Sequence, residues 1–154
     1  MDPWRGRIGL TLVELLVVIG LLALIAGLAL HVASARPAAA SVARELAALL
    51  TSTRWLASSS GQPVSLLRSP DSGAALVRVT GYTCDSADVA ALWAPPARTG
   101  VGWPALGLAF APDGRPRRCD GSAVGNTTIV VDGARGDRAA VIVASLGRVR
   151  WERR

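Results

Sequence analysis

From Leu10 to Leu30 the chain reads LTLVELLVVIGLLALIAGLAL, an apolar run that holds one charge, Glu14, and no proline. About 20 apolar residues at ~1.5 Å rise each match the hydrocarbon core of a bilayer, so this run has the length of a continuous membrane-spanning helix. The flank before it, MDPWRGRIG, is short and carries Arg5 and Arg7. Basic residues favour the cytoplasmic side, which predicts an N-terminus inside and the remainder outside. A cleaved secretory signal has a shorter apolar core followed by small residues; this run is longer, although Ala33, Ser34 and Ala35 keep that alternative open.

Glu14 needs an explanation, because a carboxylate in an apolar helix costs about 2.5–3.5 kcal/mol even on the lenient insertion scale. Two explanations compete. Lying one turn into the helix, Glu14 can reach headgroup water, or a positive group can neutralise it. The residues around it are Gly9, Leu10, Thr11, Leu12, Val13, Glu14 and Leu15. This string resembles the N-terminal motif of the type IV pilin and pseudopilin family. The resemblance implies cleavage by prepilin peptidase between Gly9 and Leu10, N-methylation of Leu10, and pairing of Glu14 with the new amine of a neighbouring subunit during filament assembly. Leu10 departs from the family pattern, where most members carry Phe.

The remainder of the 154-residue chain suffices for one head domain. All 17 basic residues are arginine, and the formal charge of +6 attracts polyanions or acidic protein surfaces. Genomic base composition is an equally simple source of the arginine bias. Cys84 and Cys119 both fall beyond the apolar run, on the side the topology places in an oxidising compartment, so a disulfide and two separate thiols are both open readings. Their spacing indicates neither zinc nor a thioredoxin-type site.

Beyond Leu30 the helical pattern continues across Pro37: Val42, Leu46, Leu49, Thr53 and Leu56 recur at spacings of four and three and form a stripe facing the head. Arg44, Glu45, Ser52 and Ser58 fall on the solvated side, and Pro37 predicts a kink. Gly61 followed by Pro63 predicts a stop near residue 60. His31, the single histidine, reads as a bystander at the membrane exit.

After residue 62 short β-rich runs alternate with turn signals. Strands are predicted at 63–68, 75–80, 106–111, 127–131, 139–145 and 148–152. Turns are predicted at Pro70-Asp71-Ser72-Gly73, at Pro112-Asp113-Gly114, and between Asp132 and Asp137. The stretch 84–104 reads as a long loop across the sheet. The expected architecture is α+β: leader 1–9, membrane helix 10–30, amphipathic continuation 31–60, and an antiparallel β-sheet head over 62–154. That order is similar to pilin-like proteins, and three features resemble the GspH/FimT group of minor pseudopilins: Arg54, the FAPDGRP turn at 110–116, and ASLGRVR at 144–150.

Catalysis finds little support. One histidine at a membrane edge cannot serve a nucleophilic triad in the head, and there is neither a dinucleotide fingerprint nor a P-loop. Asp85, Asp88, Asp113, Asp120, Asp132 and Asp137 read as turn or cap residues rather than an acid pair. No cofactor or metal is expected. Arg135-Gly136-Asp137 and Asn126-Thr127-Thr128 match adhesion and glycosylation motifs and read as chance.

The tail from Gly147 to Arg154 is the better candidate for recognition. In a strand, Arg148 and Arg150 share one face about 6.6 Å apart, with Val149 and Trp151 opposite. That spacing suits successive phosphates, and Arg115, Arg117 and Arg118 widen the patch if the fold brings their turn close. In the FimT branch a Gly-Arg-x-Arg tail is associated with DNA binding, which the resemblance extends to Gly147, Arg148, Val149 and Arg150, with Arg153 and Arg154 beside them. The bland alternatives are an edge strand guarded by arginines and an acidic surface on the next subunit. The expected protein is a minor pilin or pseudopilin of a type IV pilus or type II secretion filament, held in the inner membrane, whose partners are other pilins and prepilin peptidase. A DNA receptor is the alternative, and an enzyme a remote third.

Overall fold

Leucine, valine and isoleucine at most positions leave the first helix, α1 (Leu12–Ala33), without a polar side. The computed structural model describes residues 12–33, 38–71, 75–86 and 89–154, with the side chains of 28–33 outside the description. The chain divides into two units, one holding α1 and one running from the second helix to the C-terminus. Every described side chain of α1 is exposed, from Leu12 to Gly27. Counted over the described residues, no helix is long and apolar enough to cross a membrane; the described side chains of α1 stop at residue 27, short of the length a bilayer core requires. The cleavage site at Gly9 and Leu10, the proline at 37 and the side chain of His31 lie outside the described residues.

The second helix, α2 (Ala39–Ser60), has a different pattern. Val42, Leu46, Leu50, Thr53 and Ala57 are buried on one face, with Leu49 and Leu56 packed at its margin, while Arg44, Glu45, Ser52 and Ser58 are exposed. Thr53 is accommodated because its hydroxyl donates to the Leu49 carbonyl at 2.8 Å. The helix ends at Gly61, whose φ of 65° is a left-handed cap that costs glycine little. Its start has no cap of its own: Ala38 offers no side-chain acceptor, and the Ala39 N–H instead donates to Asp137 Oδ2 at 2.7 Å.

Eight strands follow: β1 (Val64–Arg68), β2 (Leu76–Thr80), β3 (Gly100–Val101), β4 (Leu108–Phe110), β5 (Pro116–Arg117), β6 (Thr127–Asp132), β7 (Arg138–Val143) and β8 (Val149–Arg153). All pairings are antiparallel, in two four-stranded sheets ordered β2-β1-β4-β5 and β3-β6-β7-β8. Helix α2 packs chiefly on β7 and β8 and also touches β1, β4 and β6. The main core therefore joins Leu46 and Leu50 of α2 to Leu66, Phe110, Ile129 and Val141.

Two expectations need correction. The head has two sheets rather than one, and the presumed long loop at 84–104 contains β3 and a bridge from Trp93 to Leu76. Strands β3 and β5 have two residues each, too short for any alternation to appear in the sequence. Strand β1 is buried at four successive positions, so it has a core on both faces. Leu67, Val77 and Cys119 form a second small cluster behind the first sheet. Ser65 is tolerated there because its hydroxyl donates to the Gly81 carbonyl at 2.7 Å.

Candidate interaction surface

The three sequence features that set the head apart, Arg54 and the two Ala-x-x-Gly-Arg turns, meet at one end of the head. In the β4–β5 hairpin the Gly114 N–H donates to the Ala111 carbonyl at 2.8 Å and the Ala111 N–H to the Arg115 carbonyl at 2.9 Å. In the β7–β8 hairpin Gly147, Ala144 and Arg148 repeat the pattern at 2.7 and 2.9 Å. This is a type I turn closed by a left-handed residue, and Gly114 and Gly147 supply that residue with φ of 76° and 84°. Both glycines are also needed for space. A Cβ at 147 would run into the Gly114 carbonyl oxygen, and Cβ atoms at 114 and 147 would lie 2.9 and 3.1 Å from Arg54 Nε. The Arg54 side chain thus fills the room that two absent side chains leave.

That contact places the 112–114 turn beside the start of the basic tail. Arg115 and Arg148 are both exposed there, Arg115 paired with Asp113 at 3.5 Å. On β8, Val149 and Trp151 pack against the core while Arg150, and Arg148 just before the strand, are exposed. The four tail arginines nevertheless do not form one patch. Strand β8 runs antiparallel to α2, so Arg148 lies near Arg54, whereas Arg153 and Arg154 line a groove of about 340 Å³ with Ala38, Ala40, Asp137 and Arg138 at the opposite end. Arg154 is paired with Glu152 at 3.4 Å. At ~3.3 Å per residue the two groups are separated by most of the strand. A linear sequence shows four neighbouring arginines; extended backbone distributes them.

Cys84 and Cys119 are joined in a disulfide, with Cα atoms 4.9 Å apart and a sequence separation of 35. The bridge ties the segment after β2 over the back of the first sheet, where Cys119 packs with Leu67 and Val77. Next to it, Asp120 Oδ1 accepts the Ser122 N–H at 2.8 Å. Hydrogen bonds from Ser122 hold the Asp120 carboxyl below its ordinary value of 3.8, with Arg118 adding to the effect. Its ionised form therefore favours the fold above the ordinary carboxylate range, a contribution lost as pH falls through the lowered value.

Three further aspartates have defined partners. Asp113 accepts the Arg115 N–H at 3.0 Å, Asp132 pairs with Arg138 at 2.8 Å, and Asp137 caps α2. The aspartate of the Arg-Gly-Asp string is thus occupied in holding a helix start. Asp88 lies outside the described residues. Among the described residues no cluster of His, Cys, Asp and Glu has the make-up of a metal site.

One feature was missed in the sequence. An apolar groove of about 620 Å³ runs between α2 and β8, lined by Arg44, Ala47, Ala48, Thr51, Trp55 and Trp151. Trp55 is 70% exposed, and the Arg44 guanidinium stands 5.0 Å from the Trp151 ring centroid. The available signal was a tryptophan on the solvated side of an amphipathic helix, where polar residues are the rule. Compared with protein-family models, curated proteins and solved structures, the chain matches none of them.

Proposed function

We propose that the chain is a minor subunit of a type IV pilus or type II secretion filament, not an enzyme. In this reading prepilin peptidase cuts after Gly9, Leu10 becomes the methylated N-terminus, and the apolar run holds the subunit in the bacterial inner membrane with the head in the periplasm. The observation that carries it is α1, whose described side chains are all exposed and, from Leu12 to Gly27, apolar but for Glu14. A carboxylate so placed is tolerable where an ammonium from another subunit relieves its desolvation. The α+β head, with α2 laid on antiparallel sheets, is compatible with this role.

Mass spectrometry of the chain co-expressed with an active prepilin peptidase tests the reading. The expected product begins at methylated Leu10; a chain that still begins at Met1 overturns it. Replacing Glu14 with alanine is expected to abolish uptake into filaments while leaving cleavage intact.

The second reading, a DNA-binding minor pilin, draws on the exposure of Arg148 and Arg150 on one side of β8. Duplex binding would weaken with salt by a log–log slope of about −0.9 per phosphate engaged. Replacing both arginines with glutamine is expected to remove the mobility shift; an unchanged shift eliminates this reading.

A further inference from the structure

We infer that β8 and the groove beside it receive an extended, acidic segment of a partner protein, added as a further strand to the second sheet. Among the described residues β8 is an edge, with β7 on one side and no strand on the other. Ala144 N–H donates to the Arg148 carbonyl at 2.9 Å and Arg154 N–H to the Arg138 carbonyl at 3.0 Å, and the register pairs Ile142 with Arg150 and Ala140 with Glu152. The even-numbered residues of this strand therefore turn their backbone groups toward β7. Val149, Trp151 and Arg153 turn theirs outward, three residues of open ladder.

The same edge borders the apolar groove. Side chains alternate along an added strand, so every second residue would lie over Trp151, Ala48 and Trp55, and the rest would flank Arg148 and Arg150 on the other face. Main-chain bonds supply affinity in such additions, and the pockets for alternate side chains supply specificity. Charge sets the sign of the partner: Arg148 and Arg150 are exposed along this edge, Arg153 is exposed at its far end, the acid Glu152 is taken up by Arg154, and Arg44 lines the groove. The segment that fits alternates apolar residues, facing the groove, with carboxylates facing Arg148 and Arg150. This goes beyond the filament reading and does not depend on it.

The test uses the full chain in detergent micelles and fluorescein-labelled octapeptides read by anisotropy. An alternating Glu-Val peptide is expected to bind saturably. A Lys-Val peptide and a Glu-Val peptide interrupted by a central proline are expected to bind at least tenfold more weakly. Arg153→Pro removes an outward N–H without touching the ladder to β7, and Trp55→Ala empties one end of the groove from an exposed position; each is expected to weaken the Glu-Val peptide about tenfold with the circular dichroism spectrum unchanged. Arg150→Glu is expected to reverse the preference between the two peptides. Equal binding of the proline-interrupted peptide reduces the edge to simple charge attraction and overturns the proposal. So does an absence of saturable binding up to millimolar peptide, or cross-linking of two copies through β8, which makes a second copy the occupant.

Discussion

Helices α1 and α2 have the same length, 22 residues, and opposite relations to the protein around them. Helix α1 buries none of its described side chains, although leucine, valine and isoleucine dominate it. Helix α2 is poorer in such residues and rich in alanine, serine and threonine, yet Leu46 and Leu50 are fully buried and its whole inner face lies in the core. Apolar content alone therefore does not say what a helix packs on. An apolar stripe with a polar remainder specifies one protein neighbour; an unbroken apolar surface specifies a surrounding medium or several neighbours. The two helices differ accordingly: α2 has its neighbour in the core of the head, and α1 has an apolar surface that its described side chains leave exposed.

The same chemical change made in each helix should separate them most sharply. Leu50→Asp places a carboxylate where a fully buried leucine stood, and the lost packing plus the buried charge are expected to cost about 4 kcal/mol or more, enough to unfold the head. Leu16→Asp in α1 is expected to leave the thermal transition of the head unmoved, read by near-ultraviolet circular dichroism. On the proposed membrane reading it should instead lower recovery in the membrane fraction, since a second carboxylate in the apolar run would add about 2.5–3.5 kcal/mol to insertion. A head destabilised by Leu16→Asp would mean that α1 is part of its fold, and the contrast would fail.

A second contrast lies within the head, between the core under α2 and the small cluster behind the first sheet. The first is held by a helix and two sheets; the second, around Leu67, Val77 and Cys119, is closed by the disulfide. Replacing both Cys84 and Cys119 with serine is expected to cost about 3–4 kcal/mol through the freed chain entropy of the unfolded state. Hydrogen exchange should show the loss first in β2 and the segment after it. Uniform loss across β7 and β8 would show that the two cores unfold as one.

Long periodic signals were legible and short or borrowed ones were not. The stripe of α2, its stop at Gly61 and the six longer strands follow from residue spacing and turn chemistry, and each falls within a few residues of where the sequence puts it. The two-residue strands β3 and β5 carry no period, and the split into two sheets depends on which hairpins neighbour one another, which no local pattern encodes. Arg54, Gly114 and Gly147 were visible as separate motifs. Their meeting was not, because it follows from the close approach of two turns 33 residues apart, Gly114 O against Gly147. The basic tail misled in the other direction: adjacency along the chain read as one patch, and extended backbone pulled Arg148 away from Arg154.

The start of α2 offers the finest comparison of the two helices. In α1 the acid in the first turn is its own, Glu14, whereas α2 has no acid in its first turn and borrows Asp137 from the hairpin after β6. A borrowed cap is also a tertiary tether, joining residues 98 positions apart. Asp137→Ala should therefore cost about 1 kcal/mol, the usual worth of an N-cap acceptor, and the loss should appear in two places at once. Amide protection should fall in the first turn of α2 and in the 133–136 loop, where Gly133 leaves the room that the Asp137 carboxylate occupies. Protection lost in α2 alone would show that the hairpin holds its shape without the helix and that the tether runs one way.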